Sequence, residues 1–353
     1  MNARNGIPAS TGVRAFLVDD SAVSRTAFRR LLLTDPAITV VGEAVNGREA
    51  LGRIPEARPD IVLMDIVMPV MDGIAATREL MSSYARPVLI ISDQIGGEAD
   101  MSFEALRAGA LDVIGKPSAT ELADQATVAA LCRKVKMLAE IPVVTRNRRR
   151  ASTQPAVEQK RVDRPPAEQV SMVCIGASAG GPPALQRILS TLPPEPRWPV
   201  VVVQHMTPGF TTSLVSWLQR ATGCHVVLAT GGAAARPGMV YIAPDNSHLE
   251  VVGRRMRLRD AAPLNGHRPS VDALLGSVAI TRQARETVAV LLTGMGRDGA
   301  DGLAELRAAG AWTLAQDQAS SAVWGMPEAA VKLNAACEVL PLDEIATFLA
   351  SIA

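Results

Sequence analysis

Short apolar runs alternate with amphipathic stretches along most of the chain. From Val13 to about Glu140, the runs Arg14–Val18, Thr39–Gly42, Ile61–Met64, Val88–Ile91 and Asp112–Gly115 have the length and apolar content of buried strands, with helical periodicity between them. Five such strand–helix units predict a doubly wound parallel sheet, whose ligand site lies at the carboxyl ends of the strands.

The texture changes after Leu138. Asn147 to Pro166 carries Arg148, Arg149 and Arg150, polar residues and three prolines, with no apolar periodicity. A flexible linker over residues 141–167 is expected, separating a domain at 13–135 from one at 168–353. Its arginine run could bind an acidic surface, but a solvated tether is the plainer reading. Alternation resumes at Val170, with strands expected at Met172–Ile175, Val200–Gln204, Val226–Ala229, Val240–Ala243 and Val288–Leu292. Helices are expected at Pro183–Leu192, Phe210–Ala221, Val271–Thr281, Gly302–Ala309 and Leu342–Ile352. This predicts a second, mainly parallel, doubly wound α/β sheet. Leu249–Asp260, where apolar and charged residues alternate, reads as a hairpin on its edge.

Composition narrows the function. The 353 residues suit two domains, and 48% hydrophobic content excludes general disorder. Lys plus Arg is 36 and Asp plus Glu 35, a net charge of +1 that gives no reason to expect nucleic acid or a membrane surface as partner. The first residues lead into no apolar signal region, and no run reaches the roughly 18 apolar residues of a membrane span. A cytoplasmic protein is expected. Cys132, Cys174, Cys224 and Cys337 lie far apart without Cys-x-x-Cys spacing, which argues for buried thiols over a disulfide frame or metal knuckle.

In the front half, Asp19, Asp20, Asp65, Ser92 and Lys116 all fall at predicted strand ends. Clustered carboxylates repel unless a cation screens them, and oxygen ligands of this kind suit Mg²⁺. An aspartate can accept a phosphoryl group when a metal and an amine balance the oxygens; Lys116 offers the amine and Ser92 a hydroxyl. A single acidic loop residue would more often be a cap or turn former, but five matched positions go beyond that.

These residues sit in Val18-Asp19-Asp20-Ser21, Met64-Asp65-Ile66-Val67-Met68-Pro69-Val70-Met71-Asp72-Gly73, Ile91-Ser92 and Lys116-Pro117, and the set resembles the response-regulator receiver family. The resemblance implies a flavodoxin-like (βα)5 fold, Asp65 as phosphoacceptor, and Asp19, Asp20, Asp65 and the Val67 carbonyl as Mg²⁺ ligands. It further implies Ser92 and Lys116 as phosphoryl contacts, a histidine kinase as phosphodonor, and a Lys116–Pro117 bond that is often cis. The family usually carries Tyr or Phe three residues before the lysine. Here Val113 stands there, without the ring of the usual aromatic switch.

In the back half, Gly176-Ala177-Ser178-Ala179-Gly180 follows a strand, and a serine on such a strand-to-helix turn can be presented as a nucleophile. A serine needs a base, and the base an orienting carboxylate. Of four histidines, His205 follows the strand ending at Gln204, at the same sheet edge as Ser178. His225 lies in a strand pattern and His248 opens the hairpin. His267, in a loop before a helix, either shapes the substrate cleft or serves only as cap and turn. Asp298, in Thr293-Gly294-Met295-Gly296-Arg297-Asp298-Gly299, supplies the carboxylate, and the Met295 N–H is the candidate oxyanion donor. A glycine-rich loop before a helix can also hold phosphate, but no Lys-Ser/Thr pair completes a P-loop.

The order Ser178, His205, Asp298 departs from the Ser, acid, His order of common α/β-hydrolases. The segments around these residues, with His267-Arg268-Pro269-Ser270-Val271-Asp272 and Gly325-Met326-Pro327, resemble instead the chemotaxis protein-glutamate methylesterases, usually called CheB. The resemblance covers about residues 170–350. It implies demethylation of glutamate methyl esters on methyl-accepting chemotaxis receptors with release of methanol, deamidation of particular receptor glutamines, activation by phosphorylation, and no cofactor for the ester reaction. The family usually has Thr after the nucleophile, where this chain has Ala179. A non-enzymatic, receptor-binding signalling adaptor is the competing class.

Overall fold

A computed structural model describes residues 12–92, 98–143 and 164–353. The linker expected at 141–167 therefore falls mostly outside the described residues, as does the beginning of the chain. The rest divides into two compact units.

The first unit holds β1 (Val13–Val18), α1 (Ala22–Leu32), β2 (Ile38–Ala44), α2 (Gly47–Ala57), β3 (Ile61–Asp65), α3 (Gly73–Ser83), β4 (Val88–Ser92), α4 (Glu98–Ala108), β5 (Asp112–Gly115), α5 (Ala119–Ala123) and α6 (Gln125–Ala139). Its sheet runs β2-β1-β3-β4-β5, all parallel. The apolar runs form strands because helices cover both faces: β3 and β4 are buried along their whole length. Side chains start the helices. Ser21, Asn46 and Asp72 accept from the N–H groups of Ser24, Glu49 and Ala75, which satisfies donors that the first helical turn leaves open. Val113 is fully buried in β5. The Lys116–Pro117 bond is trans; the cis bond among the described residues is Arg268–Pro269.

The second unit comprises β6 (Met172–Ala177), α7 (Gly181–Leu189), β7 (Val200–Gln204), α8 (Thr211–Thr222), β8 (His225–Leu228), β9 (Met239–Ile242), β10 (His248–Val252), β11 (Arg255–Arg259), α9 (Val271–Ala279), β12 (Thr287–Leu291), α10 (Ala300–Ala308), β13 (Trp312–Gln316), α11 (Met326–Lys332), β14 (Glu338–Leu340) and α12 (Leu342–Ser351). Seven parallel strands run in the order β14-β13-β12-β6-β7-β9-β8. From β6 the chain moves to β7 on one side and later to β12 on the other, so the direction of winding reverses at β6. Ligand sites of open α/β sheets form above such a reversal.

Two strands, β13 and β14, were not expected. Thr313 and Gln316 interrupt the apolar run of β13, and β14 spans only three residues. The hairpin forms, but not on the sheet edge: β10 and β11 make a separate two-stranded sheet. Its Leu249, Val251 and Met256 are buried in a cluster with Leu274, Leu275 and Val278 of α9, so packing on a helix replaces pairing with an edge strand. Cys132, Cys174 and Cys224 are buried and Cys337 half-buried, all as free thiols. Burial pushes the Cys174 thiol up to about 12, which makes it a poor nucleophile. No helix among the described residues is long and apolar enough to cross a membrane.

Candidate active site

Three neighbouring strands, β12, β6 and β7, deliver Asp298, Ser178 and His205 to one end of the second sheet. Register keeps them together: Ala177 pairs with Gln204, and Gly176 with Leu291.

Ser178 stands between β6 and α7. Its N–H donates to the Thr293 carbonyl at 3.0 Å, and its carbonyl accepts from Gly181 N–H and from Gln204 Nε2, both at 2.8 Å. The sharp turn falls at Gly180, with φ of +74°, a conformation that a side chain would strain. The serine itself keeps an ordinary backbone and a half-buried side chain. On its other flank the loop after β12 approaches closely, since a β-carbon on Gly294 would lie 2.8 Å from that of Ser178. The adjoining Met295 N–H donates no hydrogen bond among the described residues.

His205 places Nε2 2.8 Å from Asp298 Oδ2, with side chains 7% and 0% exposed. Both ring nitrogens are buried and neither meets hydrogen-bond geometry with a partner among the described residues, so the approach to Asp298 is a close contact and Nδ1 stays uncommitted. His267 lies flat against it: the rings are 3.9 Å apart, with 4° between their planes. Of the two roles open to His267 in the sequence, the stack favours shaping the site.

Asp298 is held by more than the histidine. Ser270 Oγ donates to Oδ1 and Val271 N–H to Oδ2, each at 2.7 Å, and Asp272 N–H approaches Oδ1 at 3.3 Å. The carboxylate thus sits on the open N–H groups that begin α9, where the helix dipole favours negative charge. Burial alone would raise its pKa, but His205, the Ser270 hydroxyl and Val271 N–H outweigh burial and hold Asp298 well below the usual carboxylate range. The neighbouring Asp272 goes the other way, lifted to about 7 by burial and by Asp298 and Asp301, although it accepts from Gly302 N–H. The pair thereby separates one firmly ionised carboxylate from one poised near neutrality.

Sequence reasoning missed the supports. Gln204 lay unremarked within the β7 pattern and Ser270 within the loop motif. Thr293 Oγ1 bonds the Ala179 carbonyl at 2.9 Å and accepts from Val323 N–H at 2.9 Å, placing a buried hydroxyl beside the Ala179 position. A polar residue closing an otherwise apolar strand was the available signal for Gln204.

In the first unit, Asp19 and Asp20 follow β1 and Asp65 ends β3. Their carboxylate oxygens lie within 4.8 Å of one another. Lys116 Nζ sits 3.0 Å from Asp65 Oδ2 and 3.5 Å from Asp19 Oδ2. Ser92, at the end of the adjacent β4, is fully buried, and Val67 lies half exposed two residues past Asp65. Burial raises Asp65 to about 6, with Asp19 adding to the rise and Lys116 opposing it. A cluster whose own repulsion must be screened, with one member exposed, fits a hard divalent cation with open water positions.

The family model for the response regulator receiver domain matches residues 15–127, and that for CheB methylesterase matches residues 173–349. The chain is 42% identical over 341 residues to a protein-glutamate methylesterase/protein-glutamine glutaminase of Myxococcus xanthus, covering 96% of each. It is 40% identical to one of Nitrosospira multiformis, covering 96% of this chain and 97% of that one. The crystal structure of the Thermotoga maritima CheB methylesterase catalytic domain superposes with a TM-score of 0.50 at 36% identity, over 52% of this chain and 99% of that domain. With its two matched regions in this order, the chain belongs to the CheB methylesterase family, and carries a response regulator receiver domain ahead of the catalytic one.

Proposed function

We propose that this protein hydrolyses glutamate methyl esters on chemoreceptors, with Ser178 as nucleophile, and that phosphorylation of Asp65 controls the reaction. The observation that carries the reading is the 2.8 Å contact between His205 and a carboxylate fixed on a helix end, beside a serine anchored from both neighbouring strands. In this reading the 2.8 Å contact keeps the Nε2 proton toward Asp298, and Nδ1 acts as the base. Nδ1 takes the hydroxyl proton as Ser178 Oγ bonds to the ester carbonyl carbon, and the Met295 N–H receives the developing oxyanion. As the carbon–oxygen bond to the methoxy group breaks, the proton passes from His205 to that oxygen and methanol leaves. Water, deprotonated at the same Nδ1, then splits the acyl-serine and frees the glutamate carboxylate. A glutamine side chain enters the same sequence with ammonia as leaving group, which supports deamidation as a second activity; the relatives' names pair both activities.

In the receiver, Asp65 accepts the phosphoryl group from a histidine kinase. Asp19, Asp20, Asp65 and the Val67 carbonyl would hold Mg²⁺, which when bound offsets negative charge on the phosphoryl oxygens. Lys116, already against Asp65, neutralises one oxygen, and Ser92 offers a hydroxyl from the next strand. A receptor-binding adaptor without hydrolysis would need no His205–Asp298 pair, and the relatives are named as methylesterases and glutaminases. The test is methanol release from a methylated receptor, with and without a phosphodonor. Ser178→Ala should remove release while leaving the fold intact, and undiminished turnover would sink the assignment.

A further inference from the structure

The β6–β7 ladder stops just short of both reacting side chains. Its last pair is Ala177 with Gln204, and the His205 N–H still reaches the Ala177 carbonyl at 2.9 Å. Past that point no backbone bond joins the two segments among the described residues. The Gln204 side chain bridges them instead: Nε2 donates to the Ser178 carbonyl at 2.8 Å and to the His205 carbonyl at 2.7 Å.

Gln204 is 4% exposed, so both N–H groups of its amide are withdrawn from water and committed. The amide oxygen is buried without a partner, in the space where any β-carbon on Gly181 would come within 2.0 Å of it. An orphaned buried oxygen is unfavourable, and a methionine would fill similar volume without one. Packing alone therefore does not account for an amide here. What only the amide supplies is a fixed link between the main chain of the nucleophile and that of the base.

We propose that Gln204 is a positioning residue for acyl transfer, setting the separation of Ser178 and His205 through their two carbonyls. The proposal rests on the assignment of those two residues as nucleophile and base. A displacement of about 1 Å between reacting groups can cost about 10²-fold in rate. Gln204→Met should therefore lower kcat for methanol release by about 10²-fold with KM unchanged.

Gln204→Glu gives a sharper readout. Ionised, its carboxylate faces two carbonyl oxygens and donates to neither. Protonated, it regains one donor. Its activity relative to the parent should therefore rise as pH falls from about 9 to about 5, the range over which a buried, unpaired carboxyl takes up its proton. A Gln204→Met enzyme within about threefold of the parent kcat, or one whose loss lies in KM, overturns the proposal, because a misplaced pair must slow the chemical step. So does a flat pH ratio for Gln204→Glu, and that ratio decides the matter if the methionine variant fails to fold. Ser178→Ala, run alongside, separates the failures: residual turnover there removes the underlying assignment, whereas an inactive Ser178→Ala beside an unimpaired Gln204→Met removes only the role of Gln204.

Discussion

Replacing Asp298 by asparagine exchanges one carboxylate oxygen for NH₂, and the surroundings dictate which one. Oδ2 receives the Val271 N–H at 2.7 Å and lies 2.8 Å from His205 Nε2, whereas Oδ1 receives the Ser270 hydroxyl at 2.7 Å and, over a longer 3.3 Å, the Asp272 N–H. A hydroxyl can turn its proton away and accept; a backbone N–H cannot. The short Val271 bond outweighs the long Asp272 one, so the amide settles with its oxygen toward His205 and its NH₂ toward Ser270, and the ring keeps its tautomer. What is lost is negative charge opposite the imidazolium that forms during acyl transfer. Hydrogen bonds to charged groups contribute about 1.5–3 kcal/mol, against about 1 for neutral ones. The difference, about 1–2 kcal/mol, corresponds to roughly a 5- to 30-fold fall in kcat. Asp298→Ala frees the ring as well, and losses of about 10⁴-fold follow when a triad histidine is held in the wrong tautomer. Steady-state methanol release from a methylated receptor measures both. An asparagine variant as slow as the alanine variant would refute the oxygen-inward orientation. Adding Ser270→Ala should make Asp298→Asn worse, because the NH₂ then loses its acceptor.

Gly180→Ala places a β-carbon at φ of +74° and 2.5 Å from that of Ala322, so urea denaturation should show a loss of about 1–3 kcal/mol. Asp65 carries a pKa raised to about 6, so the folded receiver holds that proton more tightly than the unfolded chain does. Its ionisation therefore removes stability as pH rises from about 4 through about 6. Asp65→Asn should raise the thermal midpoint of the metal-free protein more at pH 8 than at pH 4, and equal shifts at both would contradict the linkage. Mg²⁺ titrated calorimetrically into the parent should bind, and should bind more weakly to Asp20→Asn, whose side chain is the exposed member of the cluster.

The receiver sheet was legible throughout because β1, β3 and β4 carry runs of four apolar residues, and β2 and β5 an apolar pair, set between turn-forming segments. The second sheet was legible only where that held. Thr313 and Gln316 are buried and belong to a hydrogen-bond network with Ala335, Thr293 and Ser320, so their polarity disguises a central strand as a surface segment. The proposed triad could be read from strand ends, since Ser178, His205 and Asp298 each follow an apolar run. Its supports could not: Ser270 and Gln204 act through register and helix position, which local pattern does not encode. The stack of His267 on His205 depends on how the loop before α9 folds back, a long-range fact with no local signature.

Asp298 also helps begin a helix. Its carboxylate takes up the first donors of α9, and α9 in turn buries Leu274, Leu275 and Val278 against the hairpin. A descendant that abandoned ester hydrolysis would still be under pressure to keep this aspartate for folding. The Ser178 hydroxyl holds up nothing else among the described residues and could drift at once. Among relatives of uncertain competence, then, a retained aspartate says little about whether the enzyme still works, and a lost serine says a great deal.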